Sequence, residues 1–261
     1  MRVYGWLMWS VGLGACAGVP GGGVPSRYGF DTVRGGCARN PALCATLEGQ
    51  RVPVAVGVVA GTARATLQSL DVAGLQALKK EMEACADQAR TEVLVGHAGA
   101  FAGPMPTAKE CKEMTVDGRG RSVTWAIRLG VEMHEVALRC AGEKLERLRA
   151  GGYLLEPRYR FNRKTGEKSL VGEEEKAALL RQGGEGLKGT LEPDVVLHAG
   201  DPLRVEAVFD FKFRCVNFTK SPDWRTYPSG HTYAGRNQGD VYQEAFGPRV
   251  DLIGPRSEWS W

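Results

Sequence analysis

No CxxC pair occurs in this chain although it holds seven cysteines, and that gap argues against a structural zinc site. Coiled-coil heptads and low-complexity tracts are missing too. The 261 residues, 43% hydrophobic and 25% charged, have a globular composition and enough length for one well-buried domain plus an accessory region. Neither sign of charge dominates: 34 Lys and Arg against 30 Asp and Glu leave a net +4, which suits a polyanionic partner without requiring one. The apolar run at the start, Val3 to Gly14, is too short to cross a bilayer, which argues against a transmembrane anchor.

Arg2 precedes that run and Leu13-Gly14-Ala15-Cys16 follows it. Residues 1–16 resemble a bacterial lipoprotein signal, in which the cysteine becomes the lipid-modified first residue after cleavage, so the resemblance implies lipidation of Cys16. Ordinary secretory cleavage after Ala-Cys-Ala at 15 to 17 and an uncleaved apolar N-terminus are the alternatives. Export leaves Cys37, Cys44, Cys85, Cys111, Cys140 and Cys215. An even number in an oxidising compartment permits disulfides, with the pairing left open.

Residues 17–36, which include Gly-Gly-Gly-Val-Pro, read as a flexible tether. A mainly helical accessory or delivery region is expected over 37–107. It has a short strand at Val52 to Val59 and a helix from Thr62 to Ala89 marked by Leu67, Leu70, Leu75 and Leu78. Gly96 to Pro106 reads as the connection into a second unit, 108–261.

That unit opens with an amphipathic helix whose stripe is Val123, Ile127, Val131, His134, Leu138, Leu145 and Leu148. Gly151-Gly152 ends it, and Tyr153 to Phe161 alternates as a strand. A surface helix is expected from Glu173 to Gln182. Asp194 to His198 and Val205 to Arg214 form a predicted hairpin, Arg236 to Phe246 a helix and Val250 to Ile253 a last strand. The order helix, three strands, helix, strand predicts an α/β fold with a small mixed sheet.

Residues two apart on a strand share a face, so Asp210 and Lys212 project together while Phe211 turns into the core. Asp194 on the paired strand supplies a second carboxylate. Two carboxylates suit a hard cation such as Mg²⁺ or Mn²⁺. Phosphodiester cleavage needs an activated water and stabilised charge on the phosphoryl oxygens; a carboxylate-held metal serves both needs, and Lys212 adds positive charge. The same acid/lysine spacing recurs at Glu110/Lys112 and Glu174/Lys176, but only Asp210/Lys212 lies in an apolar strand. The alternative is a salt-bridged edge strand with Asp194 closing a turn.

Gln238 and Tyr242 share a face of the predicted helix beside Arg236 and Asn237. Surface polarity, with Tyr242 filling the core, is the plain reading of that pair. His134 lies on the buried stripe, with Gly130 one turn earlier allowing close backbone approach; a lone inward histidine is more often a core residue than a ligand.

Gly-x-x-x-His-Glu at 130 to 135, Pro193-Asp194, Asp210-Phe211-Lys212 and Gln238-x-x-x-Tyr242, in this order, resemble the PD-(D/E)xK nuclease superfamily, especially its RecB-like branch. The resemblance spans roughly Val123 to Ile253 and implies a restriction-endonuclease-like core. It also implies His134, Asp194 and Asp210 at a metal, Lys212 assisting catalysis, and Gln238 and Tyr242 supporting the site. No four-cysteine iron–sulfur framework or helicase motif accompanies these residues.

The loop after the catalytic strand interleaves bases and aromatics, among them Arg214, Phe218, Lys220, Trp224, Arg225, Tyr227, His231 and Tyr233, with Arg236 beyond it. Such a loop can hold phosphates and stack on unpaired bases, or use its aromatics to fasten itself down. A nuclease behind a lipoprotein signal resembles, in architecture, the lipoprotein polymorphic toxins that bacteria transfer by outer-membrane exchange. Ala17 after Cys16 is compatible with outer-membrane sorting. That resemblance implies an exported outer-membrane lipoprotein acting on DNA or RNA in a recipient cell, with a cognate immunity protein in the producer. The competing class is a non-catalytic envelope lipoprotein that binds a partner through a disulfide-braced domain.

Overall fold

The structure, a computed structural model, describes residues 67–216 and 222–256. The expected signal with Cys16, the tether, the strand at Val52 to Val59, Cys37, Cys44, Phe218 and Lys220 lie outside the described residues.

The first helix, α1 (Val72–Gly96), starts where Asp71 caps it, Oδ1 accepting from the Gly74 amide at 2.7 Å. Residues 67–71 are not helical, so α1 begins later than the leucine spacing predicts and runs past Ala89. A short antiparallel hairpin, β1 (Met114–Val116) and β2 (Ser122–Thr124), leads into α2 (Trp125–Leu148), capped by the Thr124 hydroxyl. The buried face of α2 is Leu129, Met133, His134, Val136, Ala137, Cys140, Ala141 and Leu145.

Of the expected stripe, His134 and Leu145 are buried, whereas Ile127 and Leu148 are exposed and Val123 belongs to β2. Small residues account for the shift, because α1 and the sheet both cover α2. Ala86 and Ala89 of α1 and Ala137 and Ala141 of α2 are fully buried, which lets the two helices approach closely. The Cys85–Cys140 disulfide joins them, with Cα atoms 5.5 Å apart.

After α2 the expected strand Tyr153 to Phe161 is divided. β3 (Tyr153–Leu155) joins the main sheet, and β4 (Arg158–Phe161) pairs with β5 (Lys168–Val171) in a separate ribbon. Glu156 in a left-handed conformation (φ 46°) and Pro157 make the break, since the first turns the chain and the second has no amide to donate to a ladder. α3 (Glu173–Arg181) is a surface helix with Glu173, Glu174 and Glu175 at its positive end, as expected. β6 (Val195–His198) and β7 (Val205–Phe211) form the predicted hairpin, and α4 (Gln238–Phe246) and β8 (Val250–Ile253) follow.

The main sheet runs β3-β6-β7-β8, antiparallel except for the β7/β8 pair. Val195, Leu197, Ala207, Phe209, Phe211 and Ile253 pack with α1 and α2, while Val196, Val208 and Val250 meet Val241, Tyr242, Ala245 and Phe246 of α4. Burial on both faces explains why these strands read as continuous apolar runs. The fold is therefore mixed α/β, a sheet between two helical layers. α1 lies N-terminal to the boundary expected at residue 107, yet Leu75, Leu78, Met82 and Val93 belong to this core. A second disulfide, Cys111–Cys215, ties the turn Glu110–Lys112 to the segment after β7.

Candidate active site

Alternation along β7 puts Phe209 and Phe211 toward α1 and α2, and Val208 toward α4. Asp210 shares the parity of Val208 and is fully buried on an otherwise apolar stretch. Lys212 follows the strand, its amide donating to the Ile253 carbonyl at 2.8 Å and its ammonium paired with Asp210. The β6/β7 register matches Val195 with Phe209, and one further step sets Asp194 opposite Asp210. The Phe211 amide donates to Asp194 Oδ2 at 2.6 Å, which fixes this second buried carboxylate.

From α2, His134 places Nε2 3.5 Å from Asp194 Oδ1 and 3.7 Å from Glu156 Oε1. Both separations are long for a hydrogen bond. Among the described residues, His134 Nε2, Asp194 Oδ1 and Asp210 Oδ1 are buried without a hydrogen-bond partner. The close approach expected at Gly130 is not made: a Cβ there meets nothing within 4 Å.

Burial, reinforced by the Asp210 charge, pushes the Asp194 carboxyl up to about 8. Burial also raises Asp210, although the Lys212 ammonium opposes it. Burial disfavours the charged imidazole of His134, but the carboxylates of Asp194 and Glu156 outweigh it and its pKa is raised. All three shifts run upward, so burial favours the protonated carboxyls while the neighbouring carboxylates favour the charged imidazole.

Gln238 and Tyr242 do share a face: the Gln238 Nε2 donates to the Tyr242 hydroxyl at 3.1 Å, and both are buried. Tyr242 meets Trp224 edge-on at 6.0 Å, and the Lys212 ammonium lies 5.8 Å from the Trp224 ring centroid. Gly239 makes this contact possible, because a Cβ there would stand 2.7 Å from the indole. The α4 helix starts here because Asn237 Oδ1 accepts from the Gly239 and Asp240 amides at 2.7 and 3.3 Å.

Trp224 is thus part of the site wall, and the aromatic loop is fastened down by buried Tyr227 and Tyr233, with Tyr227 stacked on His231 at 4.3 Å. Among the basic residues expected to bind nucleic acid, Arg214 is paired with Asp223 and Arg236 with Glu244. Those pairings leave less charge for a phosphate than the residue types imply. Arg225 is exposed, has no ion pair among the described residues, and lies near enough to favour the ionised form of Asp210.

Glu156 was missed by sequence reasoning. A charge at the end of the apolar Leu154-Leu155, immediately before Pro157, was the available signal. Its carboxylate is buried beside His134, and its amide donates to the Asp194 carbonyl at 2.8 Å.

Among the described residues, no group of three or more His, Cys, Asp or Glu side chains is arranged to hold a metal ion as it stands. The donor chemistry nevertheless fits a divalent cation: three buried ligand-type atoms without hydrogen-bond partners among the described residues, one on the His134 imidazole of α2 and one on each of the Asp194 and Asp210 carboxyls, which repel each other when both are ionised. Comparison with known proteins finds no family, no curated protein and no solved structure that matches this chain.

Proposed function

We propose that the chain is a metal-dependent nuclease with a restriction-endonuclease-like core. The supporting observation is the set of buried atoms on His134, Asp194 and Asp210 that lack hydrogen-bond partners and lie beside Lys212. The order α2, β3, β6, β7, α4, β8 in and around the main sheet is in keeping with this core. His134, Asp194 and Asp210 would hold Mg²⁺ or Mn²⁺, which supplies an activated water and stabilises charge at the phosphoryl group.

Lys212 holds its ammonium against Asp210 and under Trp224, where it can neutralise charge that develops on the phosphate oxygens. Gln238 and Tyr242 act through Trp224, keeping the indole and therefore the lysine in place. Arg225, exposed and without an ion pair among the described residues, would meet the polyanion.

Full-length protein with Mg²⁺ or Mn²⁺ is expected to degrade plasmid DNA or RNA, and Lys212→Ala to abolish that activity. Absence of cleavage by the wild type on either substrate overturns the enzyme reading in favour of a non-catalytic envelope protein. A Lys212→Ala variant with full activity removes the site.

The biological setting we propose is an outer-membrane lipoprotein toxin, anchored through Cys16 in the producer, acting in the cytoplasm of a recipient cell and neutralised by an immunity protein. The two disulfides support assembly in an oxidising compartment. Cytoplasmic expression is expected to arrest growth, and Lys212→Ala to relieve the arrest. Growth unaffected by the wild type speaks against the toxin role.

A further inference from the structure

Glu156 is the only non-glycine residue with positive φ among the described residues. A non-glycine residue held in the left-handed region costs about 1–3 kcal/mol, and one preceding proline prefers extended backbone. Both local preferences are overridden here. The outcome is a carboxylate turned inward at the end of β3, buried against His134, on a backbone held by the hydrogen bond that the Glu156 amide donates to the Asp194 carbonyl.

His134 Nε2 faces two carboxylate oxygens, Asp194 Oδ1 at 3.5 Å and Glu156 Oε1 at 3.7 Å. The separations are too wide for good hydrogen bonds, and among the described residues Nε2 and Asp194 Oδ1 have no hydrogen-bond partner. Ligand atoms that share one divalent cation stand about 3 to 4 Å apart, because each lies roughly 2.0 to 2.6 Å from the ion. The spacing thus matches neighbours around a cation better than a hydrogen-bonded cluster.

We propose that Glu156 is a third carboxylate ligand, which joins His134 and Asp194 around a divalent cation. The imidazole in this set favours Mn²⁺ over Mg²⁺, since Mg²⁺ selects oxygen donors more strictly. The proposal rests on the cation reading of the nuclease site and adds a residue and a metal preference to it. Glu156 is tied to this role by its own backbone: a strand that simply continued through residue 156 would keep neither the turn nor the inward carboxylate.

The test is Mn²⁺ binding by full-length protein, read from the loss of the free Mn²⁺ electron paramagnetic resonance signal and repeated with Mg²⁺ by calorimetry. Thermal melts in EDTA report folding. Glu156→Gln is expected to lose at least about tenfold in affinity for both Mn²⁺ and Mg²⁺, because it removes a charged oxygen donor that suits either ion, while Asp194→Asn loses binding of both. Wild-type Mn²⁺ affinity in Glu156→Gln, with binding lost in Asp194→Asn, overturns the assignment of Glu156 and leaves the nuclease reading standing. No Mn²⁺ or Mg²⁺ binding by the wild type sinks both. A Glu156→Gln variant that melts lower in EDTA but keeps wild-type affinity assigns Glu156 to the fold alone and also overturns the proposal. Should Glu156→Gln not fold, Glu156→Asp is measured instead, with an altered Mn²⁺ affinity expected and an unchanged one refuting.

Discussion

Replacing Asp194 by asparagine separates stability from function at one atom. The carboxyl is fully buried, accepts one hydrogen bond from the Phe211 amide and faces Asp210 across the β6/β7 pair. Its pKa stands near 8 against an ordinary 3.8, a gap of about four pH units. At about 1.4 kcal/mol per unit, ionising it in the fold costs on the order of several kcal/mol. A group whose folded pKa is raised contributes stability that is present below its ordinary pKa and lost as pH rises through the folded one. Raised values at His134 and Asp210 act in the same direction.

Metal-free wild-type protein is therefore expected to melt at lower temperature at pH 8.5 than at pH 5. An asparagine oxygen keeps the Phe211 hydrogen bond and removes the buried charge, so the variant is expected to gain stability where Asp194 would ionise. In a protein of this size each kcal/mol is worth about 2–4 °C. Circular-dichroism melts in EDTA should show Asp194→Asn several degrees above wild type at pH 8.5 and close to it at pH 5. A wild-type melting temperature that is level or rises between pH 5 and 8.5 refutes the reasoning, as does an asparagine variant less stable than wild type at pH 8.5.

Gly239→Ala drives a Cβ into the Trp224 indole and is expected to cost about 1–3 kcal/mol; an unchanged denaturant midpoint contradicts the packing. Reduction opens disulfides spanning 55 and 104 residues, each worth about 2–4 kcal/mol, so dithiothreitol should lower the melting temperature markedly. Nuclease activity that survives reduction fits work in a reducing cytoplasm, and activity lost with it places that work in an oxidising compartment. Removing residues 1–107 takes α1 out of the core and leaves Cys140 without Cys85; a fragment 108–261 is expected to show no cooperative melt, and a sharp transition would show that α1 is dispensable.

Much of the sheet was legible in the chain. Asp194 to His198, Val205 to Arg214 and Val250 to Ile253 read as strands because apolar runs of that length need burial on both faces, and the core clusters supply it. Helix limits were legible only roughly, because the caps Asp71, Thr124 and Asn237 decide them with one or two hydrogen bonds each. The stripe on α2 was misplaced because its closest contacts are alanines, which carry little weight when large aliphatic residues are counted. Tyr153 to Phe161 read as one strand because alternation continues across Glu156-Pro157, where the backbone turns.

Periodicity and motif order determined the four helices and the strands β6, β7 and β8, and which residues stand two apart along β7 or four apart on α4, since those relations are set by local geometry. The β1/β2 hairpin and β5 were not expected. Tertiary structure decided the rest: that Cys85 meets Cys140 and Cys111 meets Cys215, that Arg214 and Arg236 spend their charge on Asp223 and Glu244, that Trp224 walls the site, and that Glu156 joins His134 and Asp194. Each of these is a contact through space between segments far apart in the chain or turned by a single residue, and a pattern that repeats along the chain carries no record of it.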